Sequence, residues 1–244
     1  MLPRYHQRDE FIDYEIVSYD KSIIRGPIPE NNYFCCLGSA FTFGRYTTNP
    51  YPSLLSKLLD IPVLNLAGGA FAPQTYLEDF PNRIDAANKS LFVILQIMSA
   101  RFSSNSKYTY AFEKPSKNIW QENLASKDIN QLVEESRQNY IVDTQKLLKK
   151  IKVPIIALYF SKRDPDYKET NQSLTSLFGN FPQLVNEETL NKATAGYPLV
   201  KVVSSKGLPQ KLPNGEINNY YPSSQMHQLV AATLQKKLVA LNIV

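Results

Sequence analysis

Gly38-Ser39-Ala40-Phe41-Thr42-Phe43-Gly44-Arg45 follows directly on the apolar run Tyr33–Leu37, and this junction decides the fold. A short unbroken apolar run is the pattern of a strand covered on both faces. The glycines that bracket the following octet mark a sharp turn from that strand into a loop. Four further runs repeat the pattern: Pro62–Leu66, Leu91–Ile97, Pro154–Phe160 and Pro198–Val203. Helical periodicity lies between them, with a short helix over Pro52–Leu59 and a long one over Asp128–Ile151. Asp128 stands at the N-cap of the long helix, with Gln131 three residues on. Ile129, Leu132, Val133, Tyr140, Ile141, Thr144, Leu147, Leu148 and Ile151 make one stripe along it. A last helix, about Ser224–Leu241, presents Met226, Leu229, Val230, Leu234, Leu238 and Leu241 on one face. Strands alternating with helices predict an α/β fold: a three-layer α/β/α sandwich around a doubly wound, five-stranded parallel sheet.

The chain of 244 residues is long enough for one such domain, expected over 33–244, with 1–32 as an extended arm packed on it. Hydrophobic residues make up 43% and charged residues 20%, which excludes a disordered or fibrous chain. The N-terminus Met1–Glu10 is too polar for a secretory signal, and no apolar run reaches the length of a membrane span, so a cytoplasmic protein is expected. Cys35 and Cys36 are adjacent in an apolar stretch, which suits buried small hydrophobes and not a disulfide framework or metal site. A net charge of +5 raises the question of nucleic acid, but only Lys146, Lys149, Lys150 and Lys152 cluster, at a helix end where cations offset the dipole. Neither a nucleic-acid partner nor a membrane is expected, and the oligomeric state is open. Phe102–Lys127, rich in Ser, Asn, Lys and Tyr, is a long connection that suits a lid or a plain surface excursion equally.

Ligands of doubly wound sheets bind beyond the carboxyl ends of the strands, so the chemistry is sought in the segments after each run. These are the Gly38–Arg45 octet, Asn65-Leu66-Ala67-Gly68-Gly69-Ala70, Gln96-Ile97-Met98-Ser99-Ala100-Arg101 with Ser103 to Asn105, Ser161-Lys162-Arg163-Asp164, and Tyr220-Tyr221-Pro222-Ser223-Ser224-Gln225-Met226-His227. Arg45 and Arg101 stand at neighbouring strand ends, where forked guanidinium groups could clamp a carboxylate, phosphate or sulfate.

Over roughly Tyr33–His227 this series resembles the SGNH (GDSL-like) hydrolase superfamily. The spacing of Gly38, Thr42 and Gly44 matches its GDSxTxG block, Asn65-Leu66-Ala67-Gly68-Gly69 its oxyanion-hole block, and His227 its C-terminal histidine. Within the superfamily the series is similar to an uncharacterised bacterial family with LGxAxTFGR, QxMSxR and YYPSxxMH motifs. The resemblance implies ester or acyl chemistry on a carbohydrate-like or anionic small molecule, with His227 as base, Gly69, Gly68 and Asn65 around an oxyanion, and no cofactor or metal. Two departures stand against it. Ala40 occupies the nucleophile position and Ser224 the position of the acid three residues before the histidine.

Ser39, shifted by one residue, or a bound hydroxyl is then the expected nucleophile, and Asp164 the substitute acid, with Asn105 as an added polar contact. The alternatives are a non-catalytic binding module on a degenerate hydrolase fold, and a transferase with a coenzyme-A or nucleotide-linked donor. No P-loop or Rossmann glycine pattern supports the nucleotide version.

Overall fold

In the computed structural model residues 11–111, 117–168, 170 and 172–244 are described. Seven strands form one sheet: β1 (Ile16–Tyr19), β2 (Ser22–Arg25), β3 (Phe34–Leu37), β4 (Val63–Asn65), β5 (Val93–Gln96), β6 (Ile155–Ser161) and β7 (Leu199–Val203). Their order is β1-β2-β4-β3-β5-β6-β7. The five strands β4-β3-β5-β6-β7 pair in parallel, as the sequence predicts, with Cys36 opposite both Asn65 and Ile94. The two extra strands are the correction. β1 and β2 form an antiparallel hairpin within the stretch read as an arm, and β2 adds to the sheet edge through Arg25 opposite Asn65. Residues 1–10 of that stretch lie outside the described residues.

The helices α1 (Ala40–Phe43), α2 (Tyr51–Leu59), α3 (Pro81–Asn88), α4 (Lys117–Asn123), α5 (Ile129–Lys150), α6 (Leu174–Phe178), α7 (Glu187–Ala193) and α8 (Ser224–Ala240) complete the layers. α2 and α8 pack on one face of the sheet, where Tyr51, Leu55, Met226, Val230, Leu234 and Leu238 meet Phe34, Ile94 and Ile156. α3, α5 and α7 cover the other face. Every residue of the predicted α5 stripe is buried. On α8 the pattern misplaces one residue: Leu229 is 41% exposed while Met226, Val230, Leu234 and Leu238 are buried and Leu241 is partly buried. Each fully covered aliphatic side chain contributes roughly 1.5–3 kcal/mol of transfer free energy, which makes α8 a principal clamp of the sandwich.

The capping box predicted for α5 does not form. Asp128 has helical angles (φ −87, ψ −1) and its side chain makes no cap bond, because a turn closed by Ile129 N–H to the Ser126 carbonyl brings the chain in already coiled. An N-cap needs extended backbone. Ser223 before α8 has that backbone (φ −75, ψ 165), and its Oγ accepts the Met226 N–H.

Candidate active site

One cleft gathers side chains from beyond the carboxyl ends of all five parallel strands. The turn after β3 contributes Ser39 and Phe41, and the turn after β4 contributes Phe71. Ser99, Arg101 and Phe102 come from the segment after β5, Phe181 and Gln183 from the loop after β6, and Tyr220 and Tyr221 from the segment before α8. The cavity volume is about 60 Å³, and the cleft opens to solvent. A more open depression at the opposite end of the sheet, around Ile151–Ile155, Tyr197 and Leu241, is lined mainly by apolar groups and carries no strand-end loop.

The floor of the cleft is set by glycine. Gly38 sits so close under Thr42 and Gln96 that a Cβ would come within 2.4 Å of Thr42 Oγ1 and 2.6 Å of Gln96 Oε1. That contact lets Gln96, the last residue of β5, accept from the Ser39 N–H at 3.0 Å and from the Thr42 hydroxyl at 2.7 Å. Tyr76 OH seals the turn, donating to the Gly38 carbonyl and accepting the Gly38 N–H. Ser39 is thus held rigidly at the cleft wall, 3% exposed, and its hydroxyl has no partner.

His227 is elsewhere. It is fully buried between the rings of Tyr51 and Phe160, and does not line the cleft. Its Nδ1 accepts the Tyr51 N–H at 3.1 Å, at the first turn of α2. The proton of the neutral ring therefore sits on Nε2, which has no partner. No lone pair is left to take a proton from a substrate or from Ser39. Burial, reinforced by the charge of Arg25, pushes its pKa down to about 3. The arrangement of His227 as base at the Ser39 hydroxyl, implied by the family resemblance, is not the one built here.

The other expected site residues divide. Asn65 is buried and structural: Nδ2 donates to the Thr42 carbonyl and Oδ1 accepts the Ala67 N–H. Gly68 lies where a Cβ would strike the Phe71 ring at 2.5 Å, and its N–H points to the Gly38 carbonyl at 3.4 Å. Gly69 beside it is half-buried. Arg101 lines the cleft, its guanidinium over the Phe102 ring at 4.5 Å. Arg45 instead packs on the Tyr46 and Tyr221 rings and donates to Tyr221 OH at 2.8 Å, outside the lining, so the two arginines do not form one clamp. Asn105 sits in a turn bridged to Tyr108, donating to Ser136. Asp164 is exposed and makes no bond to His227.

A relay unread in the sequence lines the cleft beside Ser39. Ser99 Oγ accepts the Gln183 N–H at 3.1 Å and donates to Gln183 Oε1, and Gln183 Nε2 donates to Tyr220 OH at 2.7 Å. Burial pushes the Tyr220 phenol up to about 12, against the opposing charge of Arg101. Gln183 lies in an aperiodic loop that carries no motif, and charged neighbours that bind its carbonyls add to the Ser161 and Ala100 bonds that shape it.

Those neighbours are arginines. Arg163 donates to the carbonyls of Asn180, Pro182 and Val185, and Arg137 to that of Leu184. Arg25 does the same for the β3 loop, reaching the carbonyls of Phe43, Gly44, Thr47 and Thr48 at 3.4, 3.2, 3.0 and 2.8 Å. Arg83 binds the Leu66 carbonyl at 2.7 Å. Among the described residues no cluster of His, Cys, Asp and Glu could hold a metal ion, and no helix is long and apolar enough to cross a membrane.

Residues 3–113 match a family described as a domain of unknown function, DUF6473. No curated protein matches the chain. Among solved structures, a protein described as an SGNH hydrolase from Slackia heliotrinireducens superposes with a TM-score of 0.52 at 19% identity, covering 86% of this chain and all of its own. A carbohydrate esterase family 2 enzyme with a carbohydrate-binding domain, from Corynascus thermopiles, gives 0.48 at 12% identity over 88% of this chain and 67% of its own. The catalytic domain of peptidoglycan O-acetyltransferase A from Streptococcus pneumoniae gives 0.43 at 11% identity over 86% and 94%. At such identities the first of these likenesses speaks for the backbone alone: the chain has the SGNH hydrolase fold.

Proposed function

We propose that this chain is a small-molecule-binding member of the SGNH fold, with the cleft between Ser39, Gln183 and Tyr220 as its binding site and without a serine–histidine relay. The observation that carries this reading is the state of His227: its one accepting nitrogen is occupied by the Tyr51 N–H and the ring is sealed from the cleft. General-base catalysis needs a group within hydrogen-bond reach of the proton it removes, with a pKa near the working pH. His227 meets neither condition. Arg101 and the aromatic rings of Phe41, Phe71, Phe102 and Phe181 favour a compact ligand with an apolar body.

A second reading, ester or acyl-transfer chemistry at Ser39, draws on its buried and unpartnered hydroxyl. Fluorophosphonate labelling followed by peptide mass spectrometry separates the two. The binding reading predicts no adduct on Ser39 over hours at pH 7.5, with native mass spectrometry of the gently purified protein retaining a non-covalent ligand. A stoichiometric adduct that disappears in Ser39→Ala, but persists in His227→Asn, would establish a serine hydrolase that works without this histidine.

A further inference from the structure

The relay beside Ser39 fixes the direction of every hydrogen bond in it, and so fixes what the cleft offers a ligand. Ser99 Oγ already accepts from the Gln183 N–H, and its own proton goes to Gln183 Oε1. This leaves the Gln183 amide only one orientation, with Nε2 towards Tyr220, and Tyr220 OH is the acceptor of that bond. The phenolic proton of Tyr220 is consequently not used within the relay. Ser39 Oγ, on the same wall, also has no partner for its proton. Arg101 adds a cation at the rim. Among the described residues lining the cleft there is no Asp or Glu side chain to accept a bond from a ligand hydroxyl.

From this pattern of donors without carboxylate acceptors we infer that the cleft selects ligands bearing an oxygen acceptor, specifically a carboxylate on a compact apolar body, with Tyr220 as the donor that recognises it. The inference rests on the reading of the cleft as a ligand site. Charge-assisted bonds from a hydroxyl to a carboxylate are short and about twice as strong as neutral ones, whereas a polyol needs acceptors for its own protons. The apolar body is matched by the rings of Phe41, Phe102 and Phe181. A partly buried, un-ionised phenol held at a pKa of about 12 remains a donor throughout the neutral range, so recognition does not depend on titrating Tyr220.

The test uses the full chain and three probes observed by NMR: 4-fluorophenylacetate, 2-(4-fluorophenyl)ethanol, which keeps the body and replaces the carboxylate by a hydroxyl, and methyl α-glucoside. The carboxylate is expected to bind at least tenfold more tightly than the alcohol, with no saturable binding of the glucoside. Tyr220→Phe, which keeps the ring packing, is expected to weaken the carboxylate about tenfold and leave the alcohol within twofold. Gln183→Glu supplies an acceptor that captures the Tyr220 proton within the wall, and is expected to erase the preference. Alcohol or glucoside binding as tight as the carboxylate, or a Tyr220→Phe variant with unchanged preference, overturns the donor-wall assignment while leaving the cleft as a ligand site. If the wild-type protein binds none of the three, both the assignment and the binding reading of the cleft are overturned.

Discussion

His227 gives the sharpest prediction, because its burial couples folding to pH. In the unfolded chain the imidazole has its ordinary pKa of 6.5, and in the folded protein burial holds it at about 3. Between those values the unfolded chain takes up a proton that the folded chain refuses, so stability falls as pH falls through that window. The contribution is almost nil at pH 7.5, roughly 2 kcal/mol of destabilisation at pH 5, and of order 4 kcal/mol near pH 3. The control is His227→Asn, whose Oδ1 can take the place of Nδ1 as acceptor of the Tyr51 N–H. Urea unfolding at pH 7.5 and pH 5.0 in both proteins isolates the effect, since carboxylates shared by the two cancel. The wild type is expected to lose about 2 kcal/mol more than the variant on acidification. Equal losses, or an imidazole titrating near 6.5 by NMR in the folded protein, would refute the buried, neutral assignment and reopen His227 as a base.

Other outcomes follow from the same geometry. Arg25→Ala removes the donor to four loop carbonyls and is expected to cost about 3 kcal/mol in chemical unfolding, with the loss centred on residues 43–48 by hydrogen exchange. Gly38→Ala forces a methyl against Gln96 and Thr42 and is expected to cost 1–3 kcal/mol or more, and to displace Ser39. A smaller loss than for Ala in place of Gly196, which has open space around it but φ +84, would contradict the packing argument. Cys35 and Cys36 are fully buried and their thiols are pushed up by burial, so neither reacts with a disulfide reagent until the protein is unfolded. Fast modification of either under native conditions would show that the β3 core opens.

The parallel strands were legible because continuous apolar runs such as Ile155–Phe160 suit a strand covered on both faces and are too short for a buried helix, and the α5 stripe because its period is helical. The β1–β2 hairpin was not. Its burial pattern is irregular, and it is held by a feature invisible to periodicity, the Arg25 guanidinium in contact with loop carbonyls eighteen to twenty-three residues away. The site was legible as a place, since five strand ends converge wherever a doubly wound sheet forms. The roles within it were not, because they depend on the directions of hydrogen bonds. The family resemblance casts His227 as a catalytic base, yet one bond to Tyr51 decides what it does. Gln183 carries no motif at all.

The cleft is also demanding in time. Arg45 meets Tyr221, and Tyr51 meets His227, across 176 residues of chain in each case. Local contacts form early and long-range ones late. Four strand-end loops can therefore be in place on a nascent chain while the wall bearing Tyr220 and Tyr221 is still absent. Throughout that interval Phe41 lacks the Tyr220 and Tyr221 rings that later pack on it, which leaves apolar surface at this end of the sheet open to premature association during synthesis.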